Sequence, residues 1–323
     1  MSALGWLKEG PLGFARRALS YRNIDVARVI QRNLTTIVTP THSSGKGIAI
    51  PELGIVIDPF RNEDILIALP HLVALKRREG ATFRVTDRGD LEISVSGVLV
   101  LCETLQDILF AHEVYDTQVY ALQMPARTTV WDIGANIGTS SLFFAKCCGW
   151  DVIAYEPFPK TAESARANIA RNHLEDRIEL REAGIGGRAR EEALSYYHDW
   201  RGGNGLFGNT RQGPVGEATS VTVQILDAVT EFERVQQKAA GGLILAKIDC
   251  EGAEYEILRR LQEAQCLELI DAIVLEVHQI PGQDGEEPLS ILLKNSMMIV
   301  RHERLGDGLQ MIYAVKVRRV SDS

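Results

Sequence analysis

The segment Thr129 to Ser141, TVWDIGANIGTSS, constrains this chain more than any other. A β-branched and aromatic run (Thr129, Val130, Trp131) ends in Asp132. Glycines follow at 134 and 138, and Thr139, Ser140 and Ser141 open into an apolar helical pattern. Strand, glycine turn, helix start is the unit that seats a nucleoside-sized cofactor at the carboxyl end of a parallel strand. Glycine tolerates the backbone angles of such a turn and lets a ligand approach the main chain closely.

The spacing discriminates between cofactors. A dinucleotide fingerprint reads G-x-G-x-x-G, its second glycine admitting a pyrophosphate at the helix N-terminus. Here the spacing is G-x-x-x-G, with Asn136 where that glycine would stand, and Asp132 precedes the turn. An acid there repels a pyrophosphate and suits a cation. S-adenosylmethionine carries an ammonium and a sulfonium, so its polarity fits better. Asp151 to Tyr155 reads as the next strand, ended by Glu156 and Pro157. A carboxylate at that place accepts hydrogen bonds from both ribose hydroxyls. The candidate cofactor contacts are therefore Asp132, Gly134, Ala135, Asn136, Gly138, Thr139, Ser140, Glu156 and Pro157. Glu182 and Ala183, at the end of a third strand from Ile178, are placed to reach an adenine amino group.

The pattern from Thr129 onward is β then α, repeated. Helices are expected at Ser140–Cys148 and Pro159–Asn172, and Leu194–His198 with Ser220–Ile225 reads as an inserted hairpin. Gly242–Asp249 is a fourth core strand and Asp271–His278 a fifth. A helix at Pro288–Lys294 precedes strands at Met297–His302 and Gln310–Val317, which have no helix between them. Alternation of this kind argues a parallel, doubly wound sheet, here closed by an antiparallel pair.

The blocks VWDIGANIGTSSLFFA, VIAYEPFP, LAKIDCEGAEYEILRRL and VLEVH, in that order, resemble the FkbM-type family of S-adenosylmethionine-dependent methyltransferases. The resemblance runs from about Glu113 to the C-terminus and departs from the family mainly at Cys250, where an aliphatic residue is usual. It implies an α/β fold, with a class I methyltransferase Rossmann-like sheet that is mostly parallel and has an antiparallel C-terminal strand. It also implies methyl transfer to hydroxyls on sugars, glycolipids or natural products.

The fourth strand end carries the strongest catalytic hint. Leu243 to Ile248 leads into Asp249-Cys250-Glu251-Gly252, and a helix is expected from about Glu251. Glu251, Glu254, Leu258 and Leu261 would then share one helical face. The leucines must face the core, which turns the two glutamates toward the cleft. Acids also favour helix N-termini without any catalytic role, worth ~0.3–1 kcal/mol each. Glu276 and His278 lie two apart on the fifth strand and so project to one face. O-methylation needs alignment and removal of a proton, for which Asp249, Glu251, Glu254 and His278 are the candidates. These are also hard oxygen and imidazole ligands, but no recognisable ligand spacing selects a metal, so a divalent ion is compatible and not favoured.

Residues 1–36 form a basic arm with helical spacing, residues 37–124 read as a small accessory α/β cap, and 125–323 as the cofactor-binding domain. In the cap, Asn62–Lys76 carries helix signals that Pro70 should kink or split. The arm suits packing on the protein's own body or a second subunit (a homo-oligomer), and is compatible with peripheral membrane contact. The formal net charge of −8 argues against nucleic acid as partner, leaving a small-molecule or glycan acceptor. Five cysteines in mostly apolar runs suit a reducing compartment, and no apolar stretch approaches the ~20 residues that span a bilayer, so the expectation is cytoplasmic. Two other functional classes stay open: a non-catalytic cofactor-binding scaffold, and an NAD-dependent oxidoreductase.

Overall fold

The computed structural model describes residues 48–57, 61–206, 217–305 and 308–317, so the expected basic arm lies outside the described residues. The chain divides into two compact units, Met1–Val119 and Tyr120–Ser323.

The first unit begins with an antiparallel pair, β1 (Ile48–Ile50) and β2 (Ile55–Ile57). Two helices follow, α1 (Glu63–Ile67) and α2 (Leu69–Glu79), broken at Ala68 where Pro70 enters the first turn of α2. Proline cannot donate its backbone nitrogen, so the run splits as its sequence requires. Strands β3 (Thr82–Val85), β4 (Leu91–Val95) and β5 (Val98–Cys102) form a meander. Helix α3 (Leu105–Tyr115) closes the unit, its start fixed by a capping box between Thr104 and Asp107.

The second unit is a seven-stranded sheet flanked by helices. Its strands are β6 (Thr128–Ile133), β7 (Asp151–Tyr155), β8 (Ile178–Arg181), β12 (Leu243–Ile248), β13 (Ala272–Val277), β14 (Met297–Arg304) and β15 (Gln310–Lys316). They lie in the order β14-β15-β13-β12-β6-β7-β8. All pairs are parallel except the two made by β15. The chain runs outward from β6 through β7 to β8 and then returns to β12 on the other side of β6. The carboxyl ends of β6 and β12 are thus the topological switch point, where open α/β sheets bind ligands.

One face of the sheet is packed by Trp131, Ile133, Ala246, Ile248, Ile273 and Leu275, with helices supplying Phe232, Leu258, Leu261 and Leu292. Each fully buried side chain of this size contributes roughly 1.5–3 kcal/mol, so this layer fixes which way every strand faces. The contributing helices are α6 (Ala228–Ala239), α7 (Glu254–Glu263) and α8 (Glu287–Lys294). The sequence reading did not single out α6, although its start is capped by Asp227, whose carboxylate accepts from Val229 and Thr230.

Between β8 and β12 lies a small three-stranded sheet of β9 (Gly184–Gly186), β10 (Arg190–Tyr196) and β11 (Thr219–Asp227). The hairpin of β10 and β11 is the expected one, whereas β9 is a short parallel addition that the sequence pattern does not announce. The first helix of the unit is also not continuous. An α-turn, α4 (Thr139–Leu142), passes into a π-helical turn over Phe143–Cys147, and α5 (Pro159–Arg171) follows β7.

Gly134 sits at φ +81°, and a Cβ there would lie 1.7 Å from the carbonyl oxygen of Asp249. The ends of β6 and β12 approach too closely for any side chain at this position. Gly134→Ala should cost on the order of 3 kcal/mol or more, read as a fall in the urea midpoint. Unchanged stability would show that the two strand ends are not held in contact.

Candidate active site

The glycine turn consumes its own donors. The amides of Gly134 and Ala135 both donate to the Tyr155 carbonyl, and that of Gly138 to the Ala135 carbonyl. The Asn136 amide donates to Glu156 Oε2 at 3.0 Å, and the Ile137 amide to Asn136 Oδ1 at 2.7 Å. Asn136 itself adopts φ +52°, a left-handed conformation that asparagine tolerates better than most residues. Every amide from 134 to 138 is therefore occupied, by the turn itself or by the end of β7. The turn itself keeps no free amide between 134 and 138 for a pyrophosphate, in keeping with its spacing.

Beneath the turn, Lys247 and Asp132 are direct neighbours across the parallel pair of β12 and β6. The lysine is 1% exposed in an otherwise apolar strand. Its Nζ donates to the Gly134 carbonyl at 2.6 Å and lies 3.3 Å from Asp132 Oδ1 and 3.7 Å from Asp249 Oδ2. Burial alone would depress its pKa, but Asp132 and Asp249 outweigh burial and hold it above the ordinary lysine value. The ammonium stays charged. Tyr120 donates its hydroxyl to Asp249 Oδ2 at 2.6 Å, and Lys247 Nζ sits 5.0 Å from its ring centroid.

Asp132 is fully buried and accepts the hydroxyls of Ser140 at 2.7 Å and Ser141 at 2.6 Å. The Asp132 carboxylate thus engages Ser140, Ser141 and Lys247 directly. Their part is to hold the turn. Gly138 is held at φ +88°, a left-handed conformation that favours glycine, while an added Cβ would make only ordinary contact with Ala165 of α5 at 3.6 Å. Ala135 and Thr139 are buried beside it.

Glu156 ends β7, buried, accepting the amides of Asn136 and Phe158, each at 3.0 Å. Burial pushes its pKa up to about 7, against the pull of those two amides. Pro157 lies beside Gly184. Ala183 is buried near them, while Glu182 is exposed and pairs with Arg166 at 2.6 Å. Glu182 is therefore not gathered with the other candidates.

The acids after β12 gather around one imidazole. His278 Nδ1 lies 2.6 Å from Glu254 Oε1, and Nε2 lies 3.3 Å from Glu251 Oε2 and 3.6 Å from Glu276 Oε1. All four residues are at least nine-tenths buried. Burial would lower the histidine pKa, but Glu254 and Glu251 raise it well above the ordinary value. Glu251 arrives by a route other than the expected helix. It sits in the turn before α7 at φ +54°, a left-handed strain of the kind that clusters at working sites. Only Glu254 lies on the helix. The Gly205 segment lies directly on this turn, since a Cβ on Gly205 would fall 2.3 Å from the Glu251 carbonyl oxygen. Cys250 packs against the core as an aliphatic residue would. Tyr120 and Lys247 escaped the sequence reading. The one available signal was a lone lysine inside LILAKI.

Residues 132–302 match the methyltransferase FkbM domain family, a span of more than half of the 323 residues, and the chain belongs to that family. It is 24% identical over 234 residues to the 31-O-demethyl-FK506 methyltransferase FkbM of Streptomyces tacrolimicus, covering 65% of this chain and 88% of that one. The AMB antimetabolite synthetase AmbE of Pseudomonas aeruginosa is 27% identical over 246 residues, which is 65% of this chain; the match spans only 11% of that protein. Among solved structures, the FkbM methyltransferase of Methylobacillus flagellatus aligns over 78% of this chain and 60% of its own at 13% identity, with a TM-score of 0.38.

The domain is thus an S-adenosylmethionine-dependent methyltransferase, and the residues present fit that cofactor. Glu156 retains lone pairs for ribose hydroxyls after its two amides. The carboxylates at the ends of β12 and β13 suit a sulfonium, and the turn offers no anion site. A ligand whose hydroxyls donate to Glu156 binds its ionised form. S-adenosylhomocysteine affinity should therefore be greatest above about pH 7 and fall by up to about tenfold per unit below it. Calorimetry between roughly pH 5.5 and pH 8 checks this, and Glu156→Gln should flatten the profile. A profile unchanged by the substitution would remove Glu156 from cofactor binding.

Proposed function

We propose that this protein transfers the methyl group of S-adenosylmethionine to a hydroxyl oxygen of a small-molecule or glycan acceptor. The observation that carries the reading is the buried group of Glu251, Glu254 and His278 at the end of the cofactor switch point. The cofactor supplies an already activated methyl, so the protein has two tasks, to align the acceptor and to take its proton. A hydroxyl at neutral pH does not give up its proton unaided. Three carboxylates around one imidazole accept one readily, and the proton belongs to the group rather than to one residue.

Side chains around this group support a place for the acceptor beside it. Asp249, partly exposed and held by Tyr120 and Lys247, offers an acceptor atom for a substrate hydroxyl. The segment before Leu206 brings Tyr197 and Trp200 close in sequence to Gly205, and Asn204 ties this loop with two hydrogen bonds to the Tyr197 backbone at 2.9 and 3.0 Å. Aromatic rings there suit a sugar or a macrocycle face. The Streptomyces relative is named for methylation at an oxygen, which supports the same acceptor atom.

The test is product analysis. Purified protein with isotopically labelled S-adenosylmethionine is offered a panel of glycans, glycolipids and hydroxylated natural products, and the new bond is assigned by NMR. Label on oxygen is expected, and label only on nitrogen or carbon would overturn the reading. With an acceptor in hand, Glu254→Gln should lower turnover by roughly 10²-fold or more while S-adenosylhomocysteine affinity stays within about twofold. Unimpaired turnover in that variant would remove the cluster from catalysis.

A further inference from the structure

We infer that Tyr120 is a positioning residue for methyl transfer, acting through Asp249, whose carboxylate it turns toward the place of the transferring methyl. This deepens the reading of the site as a hydroxyl methyltransferase and rests on it. Tyr120 stands ahead of the span that matches the family, in the irregular stretch between the end of α3 at Tyr115 and the start of β6 at Thr128. Its side chain nevertheless reaches the end of β12, where the hydroxyl donates to Asp249 Oδ2 at 2.6 Å. That is the length of a charge-assisted O–H···O⁻ bond, roughly twice as strong as its neutral counterpart.

The tyrosine is fixed at both its ring and its hydroxyl. It is buried, and its ring centroid stands 5.0 Å from Lys247 Nζ. That ammonium is itself anchored on the Gly134 carbonyl at 2.6 Å and on Asp132 at 3.3 Å. Packing and the cation–π contact need only the ring, and a phenylalanine would supply both. What the hydroxyl adds is a directed bond to one carboxylate oxygen.

Asp249 has little freedom apart from its side chain. Its amide donates to the Ile133 carbonyl at 3.1 Å, and its own carbonyl lies against Gly134, so the backbone is pinned to the end of β6. The side-chain torsions remain. Tyr120 and Lys247 both approach the same oxygen, Oδ2, at 2.6 and 3.7 Å, and two donors on one oxygen set the rotation of the carboxylate. Its side chain keeps 21% exposure, so a ligand at the switch point still meets it.

Strand order says which part of a ligand that is. Glu156, the ribose partner, follows β7, and Asp249 follows β12 on the other side of β6. The part of the cofactor that extends from the ribose across the glycine turn meets Asp249 next, and that part carries the sulfonium. A carboxylate held there in one rotation faces both the positive centre and the acceptor hydroxyl that attacks in line with it. Loss of that aim costs rate, because alignment supplies much of what the protein adds to this reaction.

Calorimetry on the full chain compares two probes: S-adenosylhomocysteine, and sinefungin, which carries an ammonium where the methylated sulfonium stands. Tyr120→Phe keeps the ring against Lys247, and S-adenosylhomocysteine binding shows that the variant is folded. Sinefungin affinity should fall about tenfold in Tyr120→Phe while S-adenosylhomocysteine affinity stays within about twofold. Asp249→Ala should lose at least as much, and adding Tyr120→Phe to it should cost no more than about twofold further, because the hydroxyl acts through that carboxylate. If Asp249→Ala does not fold, the comparison of the two probes on Tyr120→Phe still decides. Equal losses for both probes, no loss for either, or a full effect of Tyr120→Phe in the Asp249→Ala background overturns the inference. With the acceptor found by product analysis, kcat in Tyr120→Phe should fall about tenfold or more and the acceptor KM stay within about threefold. Hydroxyl methylation at full kcat in that variant overturns the positioning role and spares the functional reading. A selective loss of sinefungin in a protein that methylates only nitrogen or carbon does the reverse.

Discussion

The arrangement of the active site hangs on one buried ammonium. Lys247 is placed by strand register beside Asp132 and by alternation beside Asp249, and its third contact is the carbonyl of Gly134. It therefore joins the end of β6, the glycine turn and the end of β12 through a single atom. A lysine is expensive to bury, and the expense is met only because two carboxylates and a carbonyl converge on it. Removing either acid would leave the charge stranded; removing the lysine would leave the acids repelling each other across the switch point. The glycine turn keeps its shape because of what lies beneath it, as well as because of its glycines.

The same logic extends along the sheet. Asp132, Lys247, Asp249, Glu276 and His278 project on one side, while Trp131, Ile133, Ile248 and Leu275 project on the other into the core. Strand alternation thus converts an apolar layer on one face into a polar, charged layer on the opposite face at the carboxyl ends. Glu251 and Glu254 join this layer from the following turn and helix. The strained left-handed backbone at Glu251 is held by the Gly205 segment on one side and by α7 on the other. Such strain is kept where it aims a side chain, and here it aims a carboxylate at His278.

Much of this was legible in the chain itself. The turn from Asp132 to Thr139, the acid ending the second strand and the pairing of Glu276 with His278 on one face all follow from periodicity and turn chemistry. The split at Pro70 and the antiparallel closing pair followed in the same way. The reading of Glu251 reached the right neighbourhood for a different reason, since a helical face was assumed where a left-handed turn occurs. Helix α6 was passed over because its apolar positions lie among many charged ones. Strand β9 contains two glycines in three residues and carries no strand signal at all.

What the sequence alone determined is the kind of site: a G-x-x-x-G turn at a strand end, with acids at the ends of the neighbouring strands. These features are local, and local rules of turn and alternation suffice to read them. What only the tertiary structure decided is which groups meet. Tyr120 and Asp249 are 129 residues apart, and nothing local to either announces their hydrogen bond. Whether Asp132 faces a ligand or a buried lysine depended on the register between β6 and β12. That register is set by packing of the whole sheet, a long-range property that no window of sequence contains.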